Sequence, residues 1–177
     1  MKKMFSLLAI TAFVFAGITA SAQDKPKEDK SKRPSPPATV SKTLKSGAVV
    51  TIDYSQPSVK GRTIGKDLEP KKGEVWRTGA NEATVFETSK DITVNGSKLP
   101  AGKYSMFSLA DEGEWTIIFN KTWNQWGAYD YKMADDALRV KAKATKSTPT
   151  EKFTITIDDD GTTKLLWGEH VVSFKLQ

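Results

Sequence analysis

The chain has 177 residues, a formal net charge of +6, 38% hydrophobic and 27% charged side chains, and no cysteine. That length suits a leader followed by one domain with a real core, held by packing alone. The missing cysteines exclude a disulfide-stapled scaffold, and the mixed charges, without a clustered basic stripe, exclude a nucleic-acid binder.

In chain order, Lys2 and Lys3 precede an apolar run from Phe5 to Phe15, and Ala20-Ser21-Ala22 is a small-x-small cleavage site. Residues 1–22 therefore read as a signal peptide, too short in its apolar run to span a bilayer, which needs roughly 20 residues. No transmembrane segment is expected after its removal, and the protein is expected in the bacterial periplasm or outside the cell. Residues 23–36 (QDKPKEDKSKRPSP) are charged, contain proline and lack large apolar side chains, the composition of a disordered linker.

From residue 37 to 177 the pattern is one of strands. ATVSKTL (38–44) and AVVTIDY (48–54) flank Lys45-Ser46-Gly47, and DITV (91–94) and SKLP (97–100) flank Asn95-Gly96, the preferred type I′ turn pair. ATVFETS (83–89), KYSMFSL (103–109), EWTIIFN (114–120), ALRVKAKAT (137–145), KFTITID (152–158), TKLLW (163–167) and VVSFKLQ (171–177) complete the set. Alternation puts Val50, Ile52 and Tyr54 on one face, and Trp115, Ile117 and Phe119 on another. The fold class is all-β, an antiparallel β-sandwich of jelly-roll-like or related type.

Two segments break the rhythm. Residues 55–82 contain Ile64, Leu68, Val75 and Trp76, so they are expected to pack; residues 121–136 hold Trp123, Trp126, Tyr129 and Tyr131, with a helical turn near 130–137. Loops this long are uncommon in compact domains and are usually functional or disordered. SQPSVKGRTIG (55–65), VWRTGANEAT (75–84), LPAGKYSMFSL (99–109) and WTIIFNKTWNQWGAYDY (115–131) occur in this order. Over roughly residues 34–145 the chain thereby resembles the domain of unknown function 2911 family of exported bacterial proteins. The resemblance implies a signal-bearing β-sandwich and carries no activity or catalytic residue.

Chemistry is sparsely supplied. His170 is the single histidine and no GxSxG elbow is present, so a nucleophilic triad has little to build on; it reads as a turn or strand-edge residue. Zinc draws on several His or Cys ligands, and Asp158-Asp159-Asp160-Gly161 lacks EF-hand spacing, so it reads as a charged hairpin turn. No metal and no cofactor is expected. Asp53 and Glu82 bracket the first long loop and are weak candidates for a catalytic carboxylate pair; their alternative is to pair with Arg62 or Arg77 and lock that loop. Arg62 and Arg77 could equally grip an anion.

Aromatic rings with amides beside them, as in Trp123, Trp126 and Tyr129 near Asn124 and Gln125, describe a ligand surface, unless Trp126 and Tyr129 cap the end of the sandwich as core. The leading expectation is a non-enzymatic envelope binding module for a saccharide or small anion, presenting Arg62, Arg77, Asn81, Glu82, Trp123, Trp126 and Tyr129. The alternatives are a structural component contacting another envelope protein, and a glycoside hydrolase using Asp53 and Glu82.

Overall fold

Alternating short runs of β-branched and aromatic residues between turn signals leave each strand with one apolar face to bury, and antiparallel pairing buries it. A computed structural model describes residues 28–177; the expected signal peptide, 1–22, and residues 23–27 of the expected linker lie outside the described residues. The strands are β1 (Pro37–Thr43), β2 (Val49–Ser55), β3 (Val75–Trp76), β4 (Thr84–Thr88), β5 (Ile92–Val94), β6 (Ser97–Leu99), β7 (Gly102–Leu109), β8 (Glu114–Asn120), β9 (Asp136–Ile157) and β10 (Thr162–Lys175). One antiparallel sheet has the order β1-β2-β4-β7-β8-β9-β10, with β3 also paired to β7; β5 and β6 form a separate hairpin. The all-β antiparallel architecture expected from the sequence is present.

Two features depart from the expected segmentation. Residues 137–145 and 152–158 belong to one strand, β9, and residues 163–167 and 171–177 merge largely into β10. The merger hides an irregularity: the β9–β10 register shifts between Leu166 and Gly168 and again between Gly168 and His170. Pro149 sits within that bulged stretch, where a missing N–H is tolerated. The expected helical turn is a 3-10 turn at Met133–Asp135.

The long hairpin closes the sheet on itself. The first part of β9 pairs with β8, and the second part reaches the far end of β2. There Phe153 N–H donates to Pro57 O (2.9 Å), Val59 N–H to Glu151 O (2.9 Å), and Ile155 N–H to the Tyr54 hydroxyl (3.1 Å). Between the two layers lies the core: Val50, Ile52, Phe86, Met106, Ile117, Phe119, Phe153, Leu165 and Trp167. Phe153 is its hub, with edge-on contacts to Trp76 (5.1 Å), Tyr54 (5.7 Å) and Trp167 (6.1 Å). The face assignments of Val50, Ile52 and Tyr54, and of Trp115, Ile117 and Phe119, hold, all being buried.

Candidate functional site

Trp76 pairs with Ser108 of β7, and Thr84 pairs with Met106. The whole segment Arg77–Ala83 therefore lies opposite a single residue, Phe107. The chain leaves the sheet after β3 and re-enters at β4, with Thr84 N–H donating to Arg77 O (3.2 Å) across the neck. Trp76 plugs the base: its indole N–H donates to Gly79 O (3.0 Å) and its ring is buried. The Thr78 hydroxyl donates to Ser108 Oγ (2.9 Å), and that of Thr84 to Thr78 O (2.7 Å). Thr78 (φ +53°), Gly79 (φ +154°) and Asn81 (φ +60°) all have positive φ, so the excursion is held in a conformation an unsupported chain would leave.

The second long loop packs onto it. Ala83 N–H donates to Gln125 O (3.1 Å), and Glu82 and Trp126 form a bridge. Beneath them, Ala83, Phe107 and Ile118 form a small core on the outer face of the sheet, covered by Val75, Ala128 and Tyr131. The loop is braced from below. The buried Asn120 amide donates to Lys132 O (3.0 Å) and Asp136 Oδ1 (2.9 Å) and accepts from Thr122 N–H (3.0 Å). The Tyr131 hydroxyl donates to Asp136 Oδ2 (2.7 Å), which also accepts from Arg139 Nε (2.7 Å).

This bracing leaves three rings outside. Trp123 is 43% exposed, Trp126 52% and Tyr129 81%. The reading of Trp126 and Tyr129 as core caps is thus overturned, because Tyr131 and Ala128 supply that cover. Trp123 lies beside a cleft of about 240 Å³ shared by Lys30, Asp53, Ser55, Glu82, Asn124 and Gln125. Asp53 Oδ1 accepts from the Thr39 hydroxyl (2.5 Å). Among the described residues, Asp53 Oδ2 and the Asn124 amide make no side-chain hydrogen bond, and the buried Gln125 Oε1 has no partner.

Glu82 is not held by Arg62 or Arg77, as the sequence suggested. Its partners are Lys30 Nζ on Oε1 (2.8 Å) and Arg33 Nη1 on Oε2 (2.8 Å). Both come from the stretch expected to be a disordered linker. From residue 28 onward that stretch is described against the body: a 3-10 turn at Lys30–Lys32, Gln56 N–H donating to Pro36 O (2.9 Å), and the Asn81 amide donating to Ser35 O (2.9 Å). Composition predicts whether a segment can bury apolar area, and this one has no large apolar side chain to bury. It docks through charge instead. Burial pushes the Glu82 carboxyl up, but the bonds from Lys30, a backbone N–H and Arg33 outweigh this and hold it down at about 2. A carboxyl so held is ionised at neutral pH, which opposes a role as proton donor in glycoside cleavage.

Arg77 stays with the excursion, donating from Nη1 to Asn81 O (3.2 Å). Arg62 lies apart from the cluster and is bonded to its own loop through Val59 O (3.2 Å) and Ser58 O (2.8 Å). Of the seven ligand candidates, Arg77, Asn81, Glu82 and Trp126 converge, Trp123 and Tyr129 flank them, and Arg62 is elsewhere. The three aspartates of the hairpin turn each meet a different lysine: Asp158 with Lys164, Asp159 with Lys42 and Asp160 with Lys175. Among the described residues no group of three or more His, Asp or Glu side chains is placed to hold a metal ion, and no helix is long and apolar enough to cross a membrane.

His170 lies on β10, the terminal strand of the sheet, so of the two expected placings the strand-edge one holds and the turn does not. The β10 bulge turns it against Trp115, ring centroids 5.9 Å apart, at one wall of a cavity of about 640 Å³. Burial, followed by the charge of Lys146, lowers the imidazole's pKa, with Glu169 opposing. Sequence reasoning missed this cavity because its floor combines β8, β9 and β10 with Ile64 and Pro70 of the first loop. It also missed Lys30 and Arg33; the one available signal was a carboxylate at Glu82 with no cation at helical or cross-strand spacing.

No curated protein and no solved structure matches the chain. The family model described as protein of unknown function (DUF2911) matches residues 35–176, from the docked N-terminal segment through β10 and beyond the stretch that carried the resemblance. With nearly the whole described fold inside that match, the chain belongs to the DUF2911 family.

Proposed function

We propose that this is a non-enzymatic binding module of the bacterial envelope, exported by its leader, and that its ligand is a saccharide taken at the Trp123 cleft. The observation that carries the reading is an exposed indole beside a polar cleft that still has bonding capacity. Trp123 offers an exposed ring, with Lys103 Nζ 5.4 Å from its centre, while Asp53 and Asn124 supply an acceptor and a donor–acceptor pair for hydroxyls. The cleft is smaller than the roughly 300–1,000 Å³ of drug-sized sites, which suits a single ring at the end of a glycan. A small anion is less well served, because Arg62 and Arg77 already donate to backbone carbonyls.

A glycan and muropeptide array followed by calorimetry tests the reading. Trp123→Ala is expected to weaken the best binder roughly ten-fold, about 1.4 kcal/mol, with the fold intact. An array without binders, an affinity unchanged by the substitution, or ligand-induced shifts at His170 rather than at Asn124 would overturn it.

A further inference from the structure

We propose that Glu82, Asn81 and Trp126 form a receptor for a guanidinium group, filled here by the chain's own Arg33, and that its external ligand is an arginine-bearing peptide segment. The site differs from the Trp123 cleft in both ligand and key ring.

The geometry shows what the site recognises, because it has an occupant. Arg33 Nη1 donates to Glu82 Oε2 at 2.8 Å, and the guanidinium carbon stands 5.8 Å from the centre of the Trp126 ring. A carboxylate at one edge and an indole face is the environment a planar, weakly hydrated cation prefers. The body supplies both groups from rigid positions. Glu82 and Asn81 sit on the strained excursion between β3 and β4, and Trp126 is bridged to Glu82. The Asn81 amide donates to Ser35 O, so the site also reads the peptide backbone two residues beyond the arginine. Arg33 is well enclosed in the arrangement, 12% exposed against 36% for Glu82.

The occupant is held in a way that permits exchange. Residues 28–36 carry no large apolar side chain, so the segment is fastened by polar contacts, with Arg33 enclosed at 12% exposed. The second cation on Glu82, Lys30, is 54% exposed. Exposed ion pairs are weak and screened by salt. Arg33 is also gripped within its own segment, Nε donating to Glu28 Oε1 (2.8 Å) and Nη2 to Glu28 Oε2 (2.5 Å), and its covalent attachment to β1 raises its local concentration at the site. An untethered arginine peptide must compete with that, so the wild-type protein masks its own site.

The test uses the full chain and the synthetic peptide Glu-Asp-Lys-Ser-Lys-Arg-Pro-Ser-Pro, which copies residues 28–36. A second peptide carries citrulline, a neutral near-isostere, for the arginine. Arg33→Ala is expected to bind the arginine peptide at least ten-fold more tightly than the wild type, with little binding of the citrulline peptide. Arg33→Ala combined with Glu82→Gln, or with Trp126→Ala, should lose that gain, while Arg33→Ala with Trp123→Ala keeps it. Arg33→Gln, which retains much of the side-chain stem, serves as the second variant if alanine perturbs folding. Equal affinity in wild type and both Arg33 variants, or binding that survives Glu82→Gln, would overturn the proposal. Loss of glycan binding with Trp123→Ala bears on the proposed function alone, so the two can fail separately.

Discussion

At the residue scale, Gly79 shows how one position can set a functional segment. Its φ is +154°, and a Cβ there would stand 2.9 Å from Ser55 O and 3.2 Å from Thr84 Oγ1. No side chain fits between the excursion and the end of β2. Gly79→Ala should cost about 1–3 kcal/mol in urea unfolding, from the strained conformation and the forced shift of Ser55. Gly73 has φ +78° and nothing within 4 Å of its Cβ position, so Gly73→Ala should cost less, about 1–2 kcal/mol from the backbone alone. Equal costs would show that the close approach to Ser55 contributes nothing. The packing of Trp76 was legible, since a large apolar ring in a long loop has to be covered. The partners of Glu82 were not, because Lys30 and Arg33 precede it by 52 and 49 positions, and nothing local couples them.

At the scale of elements, the docking of the N-terminal segment depends on pH through Glu82. Glu82 has a folded pKa of about 2 against an ordinary 4.5. A depressed carboxylate stabilises the docked form fully above its free value and loses that contribution as pH falls toward the folded value. Docking should therefore be constant above pH of about 4.5 and weaken progressively toward pH 2. With Glu82 36% exposed, screening limits the effect to about 1 kcal/mol or less. Amide exchange at Gln56, whose N–H is bonded to Pro36 O, reports the docking directly. Glu82→Gln should flatten the profile, and a wild-type profile already flat over this window would mean that the carboxylate does not hold the segment. The strands themselves were readable from period-two alternation. The joining of two predicted strands into β9 and two into β10 was not, because a bulge at Gly168 looks like a turn in a one-dimensional pattern.

For the whole molecule, closure depends on the β9–β10 hairpin reaching back to β2 through Phe153. That side chain is fully buried and touches Tyr54, Trp76 and Trp167. Phe153→Ala should lower stability by about 3–5 kcal/mol by equilibrium denaturation. Met133→Ala, at a side chain 66% exposed, should stay within about 0.5 kcal/mol. A Phe153 variant as stable as the Met133 variant would mean that the two layers do not depend on this contact. The sequence by itself determined the all-β class, most strand positions, the inward faces of β2 and β8, and the two long loops where function was sought. All of these follow from side-chain period, turn chemistry and local composition, which act between near neighbours. Only the tertiary structure decided that Arg62 parts from Arg77, that Tyr131 rather than Trp126 covers the outer core, that His170 faces a cavity, and that Arg33 occupies the Glu82–Trp126 site. Each of these depends on which distant segments the closed sheet brings within hydrogen-bonding or ring-contact distance, and no local pattern encodes that.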